Sequence, residues 1–399
     1  MFEKSLIYRV GVKHHADLGL LAETMFFYGQ TQLLLDRSSV VSLSRLLSAD
    51  LLKVLLDNEW LRIAYSRENF GVLTSGLPQS HDFGVFNVSQ TAKGKRLKSH
   101  QEEIEEALVR EHGNSAETRK LSKIFTDKTE LHRFRGVPEK SKIIPDFARQ
   151  DVQDQAFLSK AVRAILIELV PGFDPLLPFH FRIIRGSNGE LFVDSDLNFH
   201  DLNQAFHTIV PLSDGSLNEA LILNYIQMAR ADTVYAAYYM AEPVTSSLSS
   251  RIMEKNHFEF LRRNISQNDI SLFHEIIVPG IPTIREAINS GERTFSEYLN
   301  FLEVAQCFKK WLNVASPDVG LVQSYNKDVS KKSWIETLPG KMTRFVVATG
   351  VGLGAATIAG PAAGLATGAA NSFLLDRILK GWRPNRFIEG SYKKFVQGD

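Results

Sequence analysis

Over the first ninety residues, short apolar runs alternate between the two-residue period of strands and the wider spacing of helices. Within 17–28, Leu18, Leu21 and Met25 lie on one helical face. The pattern predicts these elements in order: strand 5–12, helix 17–28, strand 32–36, helices 39–47 and 50–57, and strands 60–65 and 71–75. We therefore expect a small α/β domain over residues 1–90.

Two short helices followed by two strands are the order of a winged helix-turn-helix. If the strands 60–65 and 71–75 form a hairpin, the helix 50–57 is the one that would enter the DNA major groove. Its polar residues include Asp50 and Asp57, whose charges repel phosphate. We therefore expect a winged-helix-like arrangement that has a structural or protein-contact role and binds no nucleic acid.

Residues 91–150 are rich in charge and poor in apolar side chains. The basic run KGKRLK is followed by the acidic stretch HQEEIEEALVREHG. This composition predicts a solvated helical insertion or linker. The alternative is a basic docking patch, which the neighbouring glutamates would partly neutralise. Its residues would be Lys93, Lys95, Arg96 and Lys98.

The next segment, 151–335, is predicted to be a mainly helical domain. Leu158, Val162 and Ile165 recur at helical spacing before Pro171 and Gly172 end the helix. A β-hairpin is expected near 178–193, where Ser-Asn-Gly supplies the turn. Three capping-box signatures then predict helix starts: Ser216/Glu219, Thr283/Glu286 and Thr294/Glu297.

The stretch 345–375 contains no charged residue and is rich in glycine and alanine. As one helix it would be about 46 Å long, against about 30 Å of bilayer hydrocarbon. Gly360 and Pro361 stand near its middle, and proline interrupts the hydrogen bonds of a helix. We therefore predict that the final segment, 336–399, forms an apolar helical hairpin followed by a basic, aromatic tail.

Small side chains recur at every fourth position of this stretch. The central row is Gly352, Ala356, Gly360, Gly364 and Gly368, and Ala348 and Ser372 extend it. Such a row forms a groove into which a second helix packs closely. In water, glycine within a helix costs about 1 kcal/mol relative to alanine. Close packing, in lipid or in a protein core, must offset that cost.

The flanks of the stretch favour a membrane interpretation, because cations mixed with aromatic residues are typical of the headgroup region. The expected interfacial residues are Arg344, Arg377, Lys380, Trp382 and Arg383, and Phe387, Tyr392 and Phe395 alternate with later cations. The Leu, Ile, Val and Phe residues of the stretch favour insertion by about 3 to 6 kcal/mol. This is marginal for a monomer and better for a homo-oligomer. Basic residues on both sides favour a hairpin with both ends in the cytoplasm.

Two alternatives stay open for the same stretch. In the first, 345–375 is a helical hairpin buried within a soluble structural or interaction protein. In the second, Gly350 to Ala355 fits the dinucleotide-binding pattern G-x-G-x-x-A, and Asp376 is its ribose-binding acid. Against the second, Pro361 would interrupt the helix. Only 23 residues follow Asp376, and no strand–helix–strand alternation is evident upstream.

Composition and motifs point to no specific chemistry. The net charge of +1 provides no general attraction for nucleic acid. The single cysteine, Cys307, excludes an internal disulfide and is interpreted as a core residue. His200, His207 and Asp201 form the best metal candidate, but core or surface histidines are the preferred interpretation. No nucleophile elbow, P-loop or His-Glu-x-x-His is present, so we assign no catalytic, cofactor-binding or metal-binding residue.

We therefore expect an α+β fold that is predominantly α-helical. The charged first dozen residues and the lone cysteine predict a cytoplasmic protein that associates with membranes. The predicted function is non-enzymatic: a glycine zipper at 345–375 inserts into or perturbs a membrane, as in a bacterial toxin or defence effector. Membrane lipid and further copies of the chain are the expected partners.

Overall fold

The described part of the chain is known from a computed structural model. It comprises residues 3–8, 17–87, 98–133, 142–187, 189–244, 247–253, 270–314, 321–329 and 384–398. These residues form two compact units. The helical unit contains the described residues within 3–4, 17–31 and 270–398, and the α/β unit contains those within 5–8 and 32–253. The predicted α+β, predominantly α-helical class is confirmed.

The strands are short. They are β1 (Lys4–Tyr8), β2 (Gln30–Leu35), β3 (Leu61–Tyr65), β4 (Glu68–Ser75), β5 (Ser80–Asn87), β6 (Thr129–Leu131), β7 (Phe181–Arg185), β8 (Leu191–Ser195) and β9 (Glu242–Pro243). They form a five-stranded sheet in the order β6-β3-β2-β1-β9 and a four-stranded sheet in the order β4-β5-β8-β7.

The helices account for most of the described residues. They are α1 (Leu18–Phe27), α2 (Arg37–Ser44), α3 (Ala49–Asp57), α4 (His100–His112), α5 (Ala116–Lys128), α6 (Ile143–Asp151), α7 (Gln155–Leu169), α8 (Phe199–Phe206), α9 (Glu219–Tyr239), α10 (Ser247–Met253), α11 (270–277), α12 (Ile284–Asn289), α13 (Phe295–Val304), α14 (Gln306–Val314) and α15 (Leu321–Val329). The C-terminal tail, residues 384–398, contains the helical turns Pro384–Phe387 and Lys393–Gln397 around a π-helical stretch, Ile388–Tyr392.

The five-stranded sheet is parallel. β1 pairs with β9, and β3 with β6, in parallel register. The amino ends of β1 and β2 meet where Gln30 N donates to Glu3 O, and the carboxyl ends of β2 and β3 meet where Ser66 N donates to Leu35 O. Strands and helices therefore alternate from β1 to β3, so the expectation that no such alternation precedes the glycine-rich stretch is wrong. The strand predicted at 32–36 corresponds to β2, whose first two residues, Gln30 and Thr31, were not predicted.

The predicted hairpin of 60–65 with 71–75 is wrong, because β3 and β4 lie in different sheets. β3 is buried at four of its five positions, and Arg62 is exposed. β4 pairs instead with β5 through the turn at 76–79, where Gly76 has a φ of +76°. The winged-helix order is therefore not formed. The hairpin predicted near 178–193 is confirmed as the antiparallel pair β7 and β8.

Helices α4 and α5 fall in the charged region 91–150. They pack on each other and on α2 and α3. Ile104, Leu108 and Phe125 are fully buried there, so this part is a packed layer rather than a solvated insertion. A capping box of Ser99 with Glu102 starts α4.

The capping boxes at Thr283/Glu286 and Thr294/Glu297 are confirmed at the starts of α12 and α13. The one at Ser216/Glu219 is wrong. Asn218 caps α9 by accepting from Leu221 N, so Glu219 is the first helical residue rather than the third. Asparagine and serine are equally good N-caps, and Asn218 directly precedes the first residue of α9.

The helical unit is assembled around α1. Gly19 N donates to the Asn289 side chain at 2.9 Å, and a Cβ on Gly19 would lie 2.3 Å from Arg285 O. Glycine is therefore required where α1 crosses α12. The predicted boundaries 1–90, 91–150, 151–335 and 336–399 stay a prediction, since the two units are each drawn from separate stretches of chain.

Candidate functional site

The predicted membrane segment lies between the last residue of α15 and the start of the tail. All of its predicted residues fall outside the described residues: Gly352, Ala356, Gly360, Gly364, Gly368, Arg344, Arg377, Lys380, Trp382 and Arg383. The dinucleotide pattern at 350–355 also lies outside them. What the structure describes are the two elements to which this segment is attached.

Those two elements contact each other within the helical unit. α15 packs against the first turn of the tail, and that turn also contacts α14. On α15, Tyr325 is 2% exposed, and its ring lies 5.7 Å from that of Phe273 and 6.2 Å from that of Trp311. The two described elements that precede and follow residues 330–383 are therefore neighbours.

Aromatic side chains hold the tail. The Phe395 ring stacks on Phe301 at 4.4 Å, and the Phe387 ring stacks on Phe308 at 5.0 Å. Arg293 Nε donates to Phe395 O at 2.5 Å. Phe387, Tyr392 and Phe395 are buried, so their predicted place among lipid headgroups is wrong. Apolar rings alternating with cations are equally compatible with a helix that buries one face in protein.

Cys307 is the second residue of α14 and is only partly buried. It is therefore not the enclosed core residue that its apolar neighbours predicted. The deeper position on this helix belongs to Lys309, which is 5% exposed and donates from Nζ to Met25 O at 2.5 Å. That carbonyl is in the last turn of α1, where a cation is favourable. Burial lowers the pKa of Lys309 to about 8.

A second candidate lies at the carboxyl edge of the parallel sheet, where α/β folds commonly bind ligands. Asp36 follows β2, Arg67 follows β3 and His132 follows β6. Asp36 is 6% exposed, and its Oδ1 accepts from Ser39 N at 2.8 Å as the cap of α2. An acid after an apolar strand and before serines is a signal that the sequence contains and that our sequence analysis missed.

The other groups at this edge contact one another. Arg67 Nε donates to Glu103 at 3.2 Å. Burial, and then the nearby Glu103 carboxylate, raise the pKa of Tyr65 well above its ordinary value. His132 Nδ1 lies 2.8 Å from the Tyr239 hydroxyl, and burial lowers the His132 pKa to about 4. These side chains form their hydrogen bonds with other protein groups, so helix capping and packing explain their positions. We assign them no catalytic role.

The remaining sequence candidates are not brought together. His207 Nδ1 lies 3.0 Å from Val210 O, and His200 lies beside Gln204. The Asp201 carboxylate accepts from Asn198 at 2.6 Å. Within the described ranges, the metal-ligating side chains form no cluster of three or more that could hold an ion.

Of the proposed basic patch, Lys98 alone lies within the described residues. Its Nζ donates to Glu106 at 2.7 Å, which is the neutralisation that the sequence predicted. Lys93, Lys95 and Arg96 lie outside the described residues.

Comparison with known proteins gives no assignment. No protein-family model, no curated protein and no solved structure matches the chain. In the part of the chain that the structure describes, no helix combines the length and apolar character required to cross a membrane.

Proposed function

We propose that the chain is a non-enzymatic protein that acts on membranes by inserting residues 345–375 as a helical hairpin. The uncharged composition of this segment and its basic flanks motivate the proposal. The observation that carries it is the contact between α15 and the tail. A hairpin must begin and end on the same side of the bilayer, and neighbouring attachment points meet that requirement.

The helical unit would serve as the anchor of the hairpin. The tail is held by buried rings and by the bond from Arg293 to Phe395 O, so the chain after the segment has a defined place to return to. The unit would stay in the cytoplasm while the segment enters lipid. This arrangement suits a membrane-damaging effector of the bacterial toxin or defence type.

Oligomerisation is part of the proposal. Insertion of one hairpin is favoured by only about 3 to 6 kcal/mol before its polar groups and exposed backbone are counted. The row from Gly352 to Gly368 would let the two arms, or several copies, approach closely and recover packing energy. A buried helical hairpin in a soluble protein is the competing proposal, and it is equally compatible with neighbouring attachment points.

Vesicle flotation and dye leakage distinguish the two proposals. The full chain would be compared with a variant in which a short Gly-Ser linker replaces 331–382, using vesicles of equal parts phosphatidylcholine and phosphatidylglycerol. Because α15 contacts the tail, a short linker is long enough to join them. We expect the full chain to float and release dye, and the linker variant to do neither. Equal behaviour of the two proteins would refute membrane action.

Point variants separate insertion from helix packing. Ala356→Arg places a charge in the segment, which costs about 2.5 to 3.5 kcal/mol in the bilayer centre, so it should abolish flotation. Ala356→Leu is the matched control. It increases apolarity but fills the groove, so it should keep flotation and reduce leakage. Leakage that survives Ala356→Arg would contradict the proposed insertion.

A further inference from the structure

Three polar side chains meet inside the aromatic core of the helical unit. Glu23 comes from α1, His274 from α11 and Tyr392 from the C-terminal tail. Glu23 Oε1 lies 3.6 Å from His274 Nε2, and Tyr392 Oη lies 3.4 Å from His274 Nδ1. The side chains of Glu23 and His274 are 18% and 12% exposed, and Tyr392 is fully buried.

Glu23 Oε1 and His274 Nε2 are both enclosed, and neither accepts or donates a hydrogen bond within the described residues. The His274 ring is flanked by Phe27 at 5.7 Å and Phe273 at 6.2 Å. A bare carboxylate facing an imidazole lone pair is unfavourable in such surroundings, whereas a proton between them satisfies both atoms.

We propose that Glu23 and His274 form a neutral proton-sharing pair that fastens the C-terminal tail to the helical unit. The proton resides on the Glu23 carboxyl, which faces His274 Nε2. The other ring nitrogen, Nδ1–H, then donates to the Tyr392 hydroxyl oxygen. Each ring nitrogen then faces a group of complementary hydrogen-bonding character, and no net charge is buried.

The surrounding charges agree with a neutral pair. Burial raises the pKa of Glu23 to about 7, opposed by Arg285 and assisted by Glu286 and Asp17. Burial lowers the pKa of His274 to about 4, and Glu286 partly opposes this. The remaining neighbours are the hydroxyls of Tyr298 and Tyr392, whose pKa values are raised by burial and then by Glu23.

The pair has a distinctive consequence for pH dependence. In the unfolded chain, ordinary values of 4.5 and 6.5 leave one proton on the imidazole between those pH values. In the folded chain the one proton is on the carboxyl. Folding therefore moves a proton without binding or releasing one, and the pair adds almost no pH dependence to stability between pH 4.5 and 6.5.

Ring ¹⁵N NMR of the full chain at pH 5.5 tests the proton's location, with His274→Gln used to assign the signal. We expect His274 to be neutral at this pH and to titrate below pH 5. A charged His274 at pH 5.5 would mean an ion pair and would overturn the proposal.

Urea unfolding of two variants tests whether the pKa shifts of Glu23 and His274 cancel in the pH dependence of stability. Glu23→Gln removes the carboxyl but keeps His274 with its lowered pKa. Relative to wild type, the unfolding equilibrium constant of this variant should therefore rise about tenfold per pH unit as the pH falls from 6.5 towards 4. His274→Gln removes the imidazole but keeps Glu23 with its raised pKa. The unfolding equilibrium constant of this variant should therefore rise by a similar factor as the pH increases from 4.5 towards 7. At pH 8, Glu23→Gln should be more stable than wild type, because it removes a buried carboxylate. Slopes of the opposite sign, or destabilisation by Glu23→Gln at pH 8, would refute the neutral pair.

Hydrogen exchange of residues 384–398, followed by mass spectrometry, tests the connection to the tail. Tyr392→Phe removes the hydroxyl and should speed exchange of the tail several-fold. Tyr298→Phe is the matched control, since its hydroxyl donates to Ala22 O and does not contact His274. Equal exchange in the tails of wild type and Tyr392→Phe would show that the pair does not hold the tail.

Discussion

In the α/β unit, Arg230 on α9 and Asp151 at the end of α6 form a buried bidentate ion pair, with side chains 8% and 10% exposed. In the helical unit, Lys309 is buried as deeply but has a backbone carbonyl as its partner, and Glu23 faces a neutral imidazole. The α/β unit thus buries this pair of opposite charges together, although burial also lowers the pKa of its His132 to about 4. The helical unit buries Lys309 and Glu23 in surroundings that disfavour their charged forms.

The difference determines how each unit should respond to pH. An ion pair holds both partners charged over a wide range, so its stability changes little near neutrality. Burial without an opposite charge shifts a pKa in the direction that favours the uncharged form, and such a shift makes stability depend on pH unless a partner's shift compensates it, as proposed for Glu23 and His274. We therefore expect both units to contribute to the pH dependence of folding, the α/β unit through His132 between about pH 4 and 6.5 and the helical unit through Lys309 between about pH 8 and 10.5.

The largest effect is expected from breaking the ion pair. Arg230→Met should lower the free energy of unfolding by about 3 to 5 kcal/mol, because it leaves the Asp151 carboxylate buried without a counter-charge. Urea unfolding at pH 7 measures this. The double variant Arg230→Met with Asp151→Leu should recover most of the loss. A single variant as stable as wild type would contradict the pairing.

Lys309 offers the next largest effect. Its folded pKa of about 8 lies below the ordinary 10.5, so its favourable contribution is present above pH 10.5 and is lost as pH falls through 8. Wild type should therefore gain about 3 kcal/mol relative to Lys309→Met between pH 7 and 10.5. Urea unfolding of both proteins at four pH values gives the difference. A constant difference would show that Lys309 titrates normally.

Asp17 tests a charge at the rim of the helical unit. It caps α1 through Leu20 N at 2.7 Å and accepts from Arg285 at 2.5 Å. Burial alone would raise its pKa, but hydrogen bonds from Asn289 and Leu20 and the charge of Arg285 bring it below the ordinary 3.8. Asp17→Asn keeps a capping oxygen but loses the ion pair with Arg285, so it should cost up to about 1 kcal/mol at pH 7. That cost should vanish as pH falls through the Asp17 pKa, and a cost independent of pH would indicate lost packing instead.

The smallest effect is expected from an exposed pair in the α/β unit. Lys53 and Asp57 lie 3.7 Å apart on α3, with side chains 62% and 43% exposed. Lys53→Met should change the free energy of unfolding by less than about 0.5 kcal/mol, because water screens both charges. If urea unfolding shows a loss of unfolding free energy above about 1 kcal/mol, then exposure does not distinguish strong ion pairs from weak ones in this protein.

Sequence patterns predicted the elements that local chemistry controls. The helix at 17–28, the hairpin near 178–193 and the capping boxes at Thr283 and Thr294 depend on residues a few positions apart. The predicted partner of β3 was wrong, because β3 pairs with β2 and β6, which are distant from one another in sequence. The contact of Arg67 with Glu103 at the sheet edge was missed because these residues are also distant in sequence.

The sequence by itself determined the helical character, the cap chemistry and the position of the uncharged row of small residues, because spacing along one chain is sufficient for each. Tertiary structure alone decided that α15 and the tail are neighbours, and that Glu23, His274 and Tyr392 meet. Residues from α1, α11 and the tail acquire a common environment only when their helices pack. Packing also removes the water that would otherwise solvate each charge separately.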